Sequence, residues 1–392
     1  MTRVGFVGAV VLGLALSGPS TAGYAASPAP PDLPAVVSGC VGTSPVVARS
    51  VPWAQGRLAP ASVWPLSTGA GVLVAVLDTG VSPAAAGLAG VVQHGVDVVK
   101  HGPANSDCPG RGTALAGIVA GRLVPDSPVT GIAPGAGIVP IRVTDSDGRI
   151  PPGALAAGIQ AAVLAGAQVI LVGTGTPTPE PALKQAVDTA AVHNVVVVAP
   201  VADKGSGDPG QPTPVWYPAG YPGVVAVGGV DQSGSAIEPV AKEARVDLVA
   251  PAVDAVVPGP AGGHYRVGGT AVAAAYVAGA AALLRSYQPE LSAAQVAQRL
   301  KETAEPAPVG RDSPTLGAGT VDPYAAVCAL DPAAVDASVS LPVEAVTLPA
   351  PAAPNLAAVL AWRFAVGTIG LVTLVLLAFL VIRQGRRRQW RP

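Results

Sequence analysis

Residues 267–284 read VGGTAVAAAYVAGAAALL, and this stretch decides the fold. Two glycines and a threonine, which can cap a helix, come first, and apolar or small residues then cover every helical face up to Arg285. A helix that is apolar all round is buried, and this one is too short to cross a bilayer. The stretch therefore predicts a central buried helix whose free N–H groups and positive dipole end suit a reactive site.

The bulk composition limits the classes of function. The chain has 392 residues, of which 50% are hydrophobic and only 12% are charged, and its net charge is −1. No basic surface, zinc-finger pattern or RNA-binding pattern indicates nucleic acid. Beyond its terminal segments, the chain is long enough for one large domain of about 300 residues with a single core.

Two terminal segments predict the compartment. Residues 1–26 combine Arg3, an apolar run and small residues at the end, which is typical of a cleaved signal peptide. Residues 364–382 form an uncharged apolar run that spans about 28 Å as a helix, close to one hydrocarbon core. Several arginines follow within residues 383–392, which places this basic tail in the cytoplasm by the positive-inside rule. The sequence thus predicts an exported domain that one transmembrane helix anchors to the cell membrane.

Between these segments, short apolar runs alternate with helical patterns. Such alternation indicates a parallel sheet covered by helices on both faces, with the active site at the carboxyl ends of the strands, where Asp78 lies. Strands are predicted at 72–77, 138–143, 169–172, 195–199 and 224–227, and helices at 113–121, 154–165 and 182–193. A capping-box pattern opens a further helix that runs from residue 292 to about 303.

The domain organisation follows from changes in composition. Residues 27–60 form a Pro-rich N-terminal arm, and residues 61–330 form the α/β domain. Residues 331–358 are rich in Pro and Ala and predict a semi-extended spacer before the transmembrane helix.

Six motifs follow one another in a specific order. They are VPWAQ (51–55), VWPL (63–66), AVLDTGV (75–81), DCPGRGT (107–113), YPA (217–219) and DLVAP (247–251). Together with the central helix predicted in residues 267–284, these motifs resemble those of the mycosins, which are membrane-anchored subtilisin-like serine proteases (peptidase S8 family) of type VII secretion systems. The resemblance covers most of the exported part. It implies a three-layer subtilisin-like α/β fold with a mostly parallel central sheet, plus one C-terminal transmembrane helix.

The resemblance also assigns the family's catalytic positions. Asp78 matches the catalytic Asp, whereas Arg111 stands at the His position and Ala271 at the nucleophilic Ser position. Asp203 stands, in a looser alignment, at the position of the oxyanion-stabilising Asn. Residues 171–174 replace the segment that lines the substrate cleft in the family.

These replacements all oppose acyl transfer. Ala271 has no oxygen to attack a carbonyl, and an arginine, with a pKa above about 12, does not accept a proton as a general base. An ionised Asp203 would repel the oxyanion that an Asn N–H stabilises. Three other candidates, His101, His264 and Thr270, are better interpreted as loop residues or a helix cap. The sequence therefore predicts a pseudoprotease.

Asp78 itself has two interpretations. In one, its carboxylate accepts backbone N–H bonds within the Asp-Thr-Gly turn. In the other, Arg111 reaches Asp78, because the Asp and His positions touch in active members of the family, and a catalytic contact becomes a structural ion pair.

Three cysteines in an exported chain leave one unpaired. The resemblance implies a disulfide between Cys40 and Cys108, which ties the arm to the loop before Arg111. Cys328 is expected to be a buried small apolar residue. The acidic segment 145–148 has calcium-like spacing but lacks the other ligands, so a surface turn is expected. No metal site and no cofactor is predicted.

The resulting hypothesis is a mycosin-like pseudoprotease with a structural or regulatory role, whose partners are the membrane proteins of a type VII secretion complex. Two alternatives remain open. One is an active serine endopeptidase that uses an unconventional group. The other is a module that binds peptides without cutting them.

Overall fold

The computed structural model describes residues 28–34, 39–202, 213–308, 310, 313–329 and 356–387. The predicted signal peptide, Asp203, most of the spacer and the tail beyond residue 387 lie outside these residues. The chain divides into two units, Met1–Ala329 and Leu330–Pro392, and each is described by itself.

The first unit is built on an eight-stranded sheet in the order β3-β2-β4-β1-β5-β6-β7-β8, in which only the β2–β3 pair is antiparallel. The central strands are buried along their length, as their continuous apolar sequences require. The strands are β1 Leu73–Asp78, β2 Val96–Asp97, β3 Gly102–Pro103, β4 Gly137–Arg142, β5 Val169–Val172, β6 Val196–Pro200, β7 Val224–Val230 and β8 Leu248–Pro251. A separate hairpin pairs β9 Ala255–Pro258 with β10 His264–Val267.

Helices cover both faces of this sheet. Along β1, Val74 and Val76 join the core shared with α2 and α5, whereas Ala75 and Leu77 join the core shared with α3 and α4. This alternation is that of a strand between two helical layers. The helices are α1 Trp53–Leu58, α2 Arg111–Ala120, α3 Ala154–Leu164, α4 Pro181–Val192, α5 Thr270–Tyr287, α6 Ala293–Glu302 and α7 Pro323–Cys328. A 3₁₀ turn, Pro60–Ser62, follows α1.

The central helix α5 is buried on all sides, as its composition predicts. Nearly every side chain from Thr270 to Arg285 is buried, and the helix packs on α2 and on strands β5 to β8. Arg285 lies inside the protein, where its guanidinium donates to the backbone oxygens of Leu291 and Asn194. The predicted three-layer α/β fold is confirmed.

The predicted elements differ from the observed ones mainly at their ends. Strand β1 includes Asp78, and α2 begins at Arg111, two residues earlier than predicted, because Gly110 turns the chain with a φ of 83°. The capping box at Ser292 is confirmed: its side chain accepts from Gln295 N, and the Gln295 side chain accepts from Ser292 N. The short elements α1, α7, β2, β3, β8 and the β9–β10 hairpin were not predicted, since two to six residues carry no clear periodicity.

The N-terminal arm lies along β10. Leu33 N donates to Arg266 O at 2.9 Å, Arg266 N donates to Pro31 O at 2.8 Å, and His264 N donates to Val46 O at 2.8 Å. Cys40 and Cys108 form the disulfide implied by the resemblance. The arm is therefore attached at both the hairpin and the loop that precedes α2.

The second unit contains one long helix, α8, Leu356–Arg387. Its part Leu360–Arg386 has a mean hydropathy of 2.7 and no buried residues within the unit. By length and composition, this helix is able to cross a membrane, and it includes the predicted span 364–382.

Candidate functional site

Asp78 lies at the carboxyl end of β1, the edge where parallel sheets place their sites. Its side chain is 0% exposed. One carboxylate oxygen, Oδ1, accepts from Thr79 N at 2.7 Å and from Arg111 Nε at 2.9 Å. Both interpretations of Asp78 therefore describe real contacts: the carboxylate stabilises its own turn and also pairs with the guanidinium.

The second oxygen of Asp78, Oδ2, is buried and has no hydrogen-bond partner among the described residues. It faces the backbone of Gly173, the residue directly after β5, and a Cβ added there would overlap Oδ2 and lie 2.6 Å from Leu115 Cδ1. Only glycine fits between these atoms without displacement. The predicted cleft segment 171–174 is thus packed directly against the Asp78 carboxylate.

A second buried carboxylate, Asp107, holds the Asp78 turn against the start of α2. Its Oδ1 accepts from Thr79 Oγ1 at 2.8 Å and from Gly110 N at 2.9 Å. Its Oδ2 accepts from Thr113 N at 2.7 Å and from Thr113 Oγ1 at 2.6 Å. Burial raises the pKa of the Asp107 carboxyl, although the hydrogen bonds from Thr113, Thr79 and Gly110 oppose this. Asp107 therefore acts as a cap for α2 and as a link to β1.

Arg111 is the first residue of α2, directly after the Gly110 turn. Its side chain is 35% exposed, so the guanidinium lies at the boundary between the protein and solvent while its Nε reaches the buried Asp78. The next residue, Gly112, donates its N–H to Thr79 Oγ1 at 3.0 Å, which closes the network around the turn. The contact between Arg111 and Asp78 expected from the sequence is present.

Ala271 lies in the first turn of α5, after Gly269 with a φ of 117°. The neighbouring Thr270 is buried, and its Oγ1 donates to Ala202 O at 2.6 Å, so its hydroxyl attaches α5 to the end of β6. Thr270 is therefore not the helix cap expected from the sequence, because Gly269 is the N-cap residue and the Thr270 hydroxyl bonds to a residue outside α5. Asp203, the residue after Ala202, lies outside the described residues.

The other candidate bases do not join this site in the described contacts. His101 is exposed in a turn with a φ of 54°. His264 is not the loop residue expected from the sequence, because it is buried at the start of β10. Its Nδ1 accepts from Ala48 N at 3.3 Å, and its Nε2 lies 3.4 Å from Ser127 Oγ. Since Ala48 donates to Nδ1, Nε2 carries the proton and donates to Ser127, which is the wrong direction for activating that hydroxyl.

No group of three His, Cys, Asp or Glu side chains within the described ranges is arranged to hold a metal ion. The acidic segment 145–148 forms an exposed turn, in which Asp145 Oδ1 accepts from Asp147 N and Arg149 N, both at 2.9 Å. Cys328 is half-buried at the end of α7 and free, not fully buried as expected.

In the described contacts, the arrangement pairs the Asp78 carboxylate directly with the Arg111 guanidinium. A guanidinium paired with Asp78 stabilises charge but does not remove a proton from a nucleophile. Sequence reasoning did not identify the capping role of Asp107 or the packing role of Gly173. Only their positions in the sequence could have indicated these roles. Asp107 precedes Thr113 by six residues in the DCPGRGT motif, and Gly173 directly follows a buried strand.

Comparisons with known proteins identify the family of the first unit. The family model Peptidase_S8, described as the subtilase family, matches residues 69–321. Subtilisin DY from Bacillus licheniformis is 38% identical over 236 residues, which cover 60% of this chain and 84% of the subtilisin. Subtilisin BL from Lederbergia lenta is 36% identical over 260 residues, or 66% of this chain and 92% of that protein.

Solved structures of mycosins are similar in three dimensions. The MycP3 protease from the type VII (ESX-3) secretion system superimposes with a TM-score of 0.64 and 31% identity, covering 76% of this chain and 96% of MycP3. MycP1, described as a serine protease and an essential component of the type VII (ESX-1) secretion system, has a TM-score of 0.64 and 30% identity, with 77% and 96% coverage. MycP1 from Mycobacterium smegmatis has a TM-score of 0.65 and 27% identity, with 78% and 91% coverage.

Proposed function

Because the chain belongs to the subtilase family, we propose that it is a member that no longer hydrolyses peptide bonds and has a structural or regulatory role in a type VII secretion complex. The observation that carries the first half is the ion pair between Arg111 and Asp78. In this proposal the Arg111 guanidinium, which pairs with Asp78, takes the place at which a subtilase needs a neutral imidazole. Ala271, at the start of α5, supplies no nucleophile.

The expected loss of rate is large. In subtilisin, removing the nucleophilic serine or the histidine alone lowers turnover about 10⁶-fold, and removing one oxyanion donor lowers it about 10²–10³-fold. The proposed site lacks the first two groups. Asp203, at the oxyanion position, would add repulsion to the developing negative charge. Hydrolysis through this site is therefore negligible.

The site residues have a different use in this proposal. Arg111, Asp78 and Asp107 connect β1 to α2 through ionic and hydrogen bonds, so the former catalytic junction becomes part of the framework.

The second half of the proposal is supported by the relatives and by α8. The structural neighbours MycP1 and MycP3 are described as proteases of type VII secretion systems. The α8 segment Leu360–Arg386 is long and apolar enough for a single membrane anchor. With a cleaved signal peptide and the arginines after residue 382, the domain would lie outside the cytoplasm and the short tail inside. The partners would be membrane proteins of the secretion complex.

Labelling with a fluorophosphonate probe tests the loss of catalysis. We expect no covalent labelling of the purified full-length protein under conditions in which subtilisin is labelled completely. Labelling that disappears in the Thr270→Val variant would contradict the proposal, because it would identify an unconventional nucleophile next to Ala271. A probe-reactive residue elsewhere would contradict it equally.

Affinity purification tests the role in secretion. The tagged full-length protein is purified from native membranes in mild detergent, and co-purifying proteins are identified by mass spectrometry. We expect membrane components of a secretion system, and we expect them to be lost from a chain that ends at residue 329. Purification alone, or with assorted exported polypeptides, would contradict the proposed role and favour a peptide-binding module.

A further inference from the structure

His264 is the one buried histidine among the four in the chain. It begins β10 and is 3% exposed, whereas His94, His101 and His193 are exposed. It takes no part in the Asp78 site. Its position is where the N-terminal arm crosses the hairpin.

Both ring nitrogens of His264 contact residues from other parts of the chain. Ala48 N, in the arm, donates to Nδ1 at 3.3 Å, and Ser127 Oγ lies 3.4 Å from Nε2. The backbone donor fixes Nδ1 as an acceptor, so the neutral ring with its proton on Nε2 satisfies both neighbours. A protonated ring would present an N–H to the N–H of Ala48, and two donors cannot pair.

The same part of the arm covers the free edge of β10 and the turn before it. Ser44 N donates to Gly262 O at 3.0 Å, His264 N donates to Val46 O at 2.8 Å, and Tyr265 Oη donates to Gly42 O at 3.0 Å. Residues 42–48 therefore cover the His264 end of the β10 edge and the turn before it, whose backbone groups would otherwise be unpaired, whereas Pro31 and Leu33 cover the edge at Arg266.

Within the part of the chain that the structure describes, the ring contacts of His264 are to Ala48 N in the arm and Ser127 Oγ in the loop between α2 and β4, and neither is a charged side chain. On β9, Pro258 is the residue paired with His264. Of the charged residues adjoining these contacts in sequence, Arg49 and Asp126 are exposed, and Arg266 pairs with Asp32 and Asp254. Burial lowers the pKa of His264.

We propose that His264 is a pH-sensitive contact: its neutral ring holds arm residues 42–48 on β10, and its protonation releases them. The release is local, because the disulfide at Cys40 retains one end of this segment and α1, which begins at Trp53, retains the other. Acidification would thus expose the His264 end of the β10 edge, while Pro31 and Leu33 stay bonded to Arg266 and the arm is not detached.

The direction of the pH effect follows from linkage. The closed state holds His264 neutral, so the open state binds more protons once the pH falls below the ordinary histidine value of about 6.5. Between that value and the lower pKa of the closed state, one proton increases the opening constant up to about tenfold for each pH unit. Above pH 6.5 the contact is fully formed.

Hydrogen–deuterium exchange of the full-length protein in mild detergent tests this inference. Exchange is followed by mass spectrometry from pH 7.5 to 5.0, and each rate is divided by its intrinsic rate to give a protection factor. We expect protection of peptides within residues 42–49 to fall by up to about tenfold per pH unit below about 6.5. Peptides from α2 should keep their protection over the same range.

Two variants separate His264 from general acid effects. His264→Asn keeps an acceptor at the position of Nδ1 but does not titrate, so its arm should show pH-independent protection. His193→Asn removes an exposed histidine and should behave like the unmodified protein. Arm protection that is independent of pH in the unmodified protein, or equally pH-dependent in His264→Asn, would overturn the inference.

A measurement on the unmodified protein covers the case in which His264→Asn does not fold. Nitrogen-15 NMR of the imidazole side chains at pH 7.5 reports which ring nitrogen carries the proton. We expect a neutral ring with its proton on Nε2. A proton on Nδ1, or a His264 ring already charged at pH 7.5, would overturn the inference.

Discussion

Replacing Arg111 by Met should destabilise the first unit measurably, because Asp78 would remain buried without its ionic partner. Removing one member of a fully buried ion pair costs about 3–5 kcal/mol. The Arg111 side chain is 35% exposed, so water screens part of the interaction. Thr79 N also continues to donate to Asp78 Oδ1. We therefore expect the free energy of unfolding to fall by about 2–3 kcal/mol.

The assay is equilibrium unfolding of the full-length protein in detergent, with urea as denaturant and tryptophan fluorescence as the signal. Trp53 and Trp64 pack against the core of the first unit and report its unfolding. A double-mutant cycle with Asp78→Asn isolates the pairwise energy, for which we expect about 2 kcal/mol.

Arg149→Met is the matched control for this experiment. Its ion pair with Asp147 is exposed on both sides, so we expect its loss to change the free energy of unfolding by less than about 0.5 kcal/mol. A coupling energy between Arg111 and Asp78 within about 0.3 kcal/mol of zero would refute the reasoning. The ion pair would then be incidental to the fold.

Two further predictions concern the surroundings of this pair. Asp107→Ala should lower the free energy of unfolding by about 2–4 kcal/mol, because the N–H groups of Gly110 and Thr113 lose their buried acceptor. A change below about 0.5 kcal/mol in urea unfolding would contradict the capping role. Replacing Cys40 and Cys108 together by Ser should cost about 4 kcal/mol in the chain-entropy model for their separation of 68 residues. Unfolding of the unmodified protein with and without a reductant should give the same difference, and equal stability in both conditions would exclude a contribution from the bond.

The elements that the sequence predicts best are those whose amino-acid composition depends directly on their burial. Strand β5 and helix α5 have apolar residues at consecutive positions, and such runs occur where both faces of a strand or all sides of a helix are covered. The contact between Asp78 and Arg111 was predictable for a different reason. The family motifs bring the end of β1 to the start of α2, so a new side chain at one position must meet the other.

Contacts between distant parts of the chain carry no such signal. Asp107 looks like an ordinary loop acid until α2 and the Asp78 turn are placed around it. His264 lies in a strand of four residues, and its neighbour Ala48 is 216 positions away in sequence. Local propensity and periodicity describe neither of these contacts, because both are decided by how elements meet after the sheet has formed.

The arm also has a consequence for the order in which the chain is made. Ala48 leaves the ribosome 216 residues before His264, its partner on β10. The arm is therefore made well before the strand that it covers. Cys108 follows Cys40 after only 68 residues, so both cysteines precede β10 in the chain, and an exported chain can join them once it reaches an oxidising compartment. Once the bond has formed, the shortest path along the chain from Ala48 to His264 runs through Cys40 and Cys108 and is shorter than the 216 residues between them in sequence, so this contact costs less loop-closure entropy.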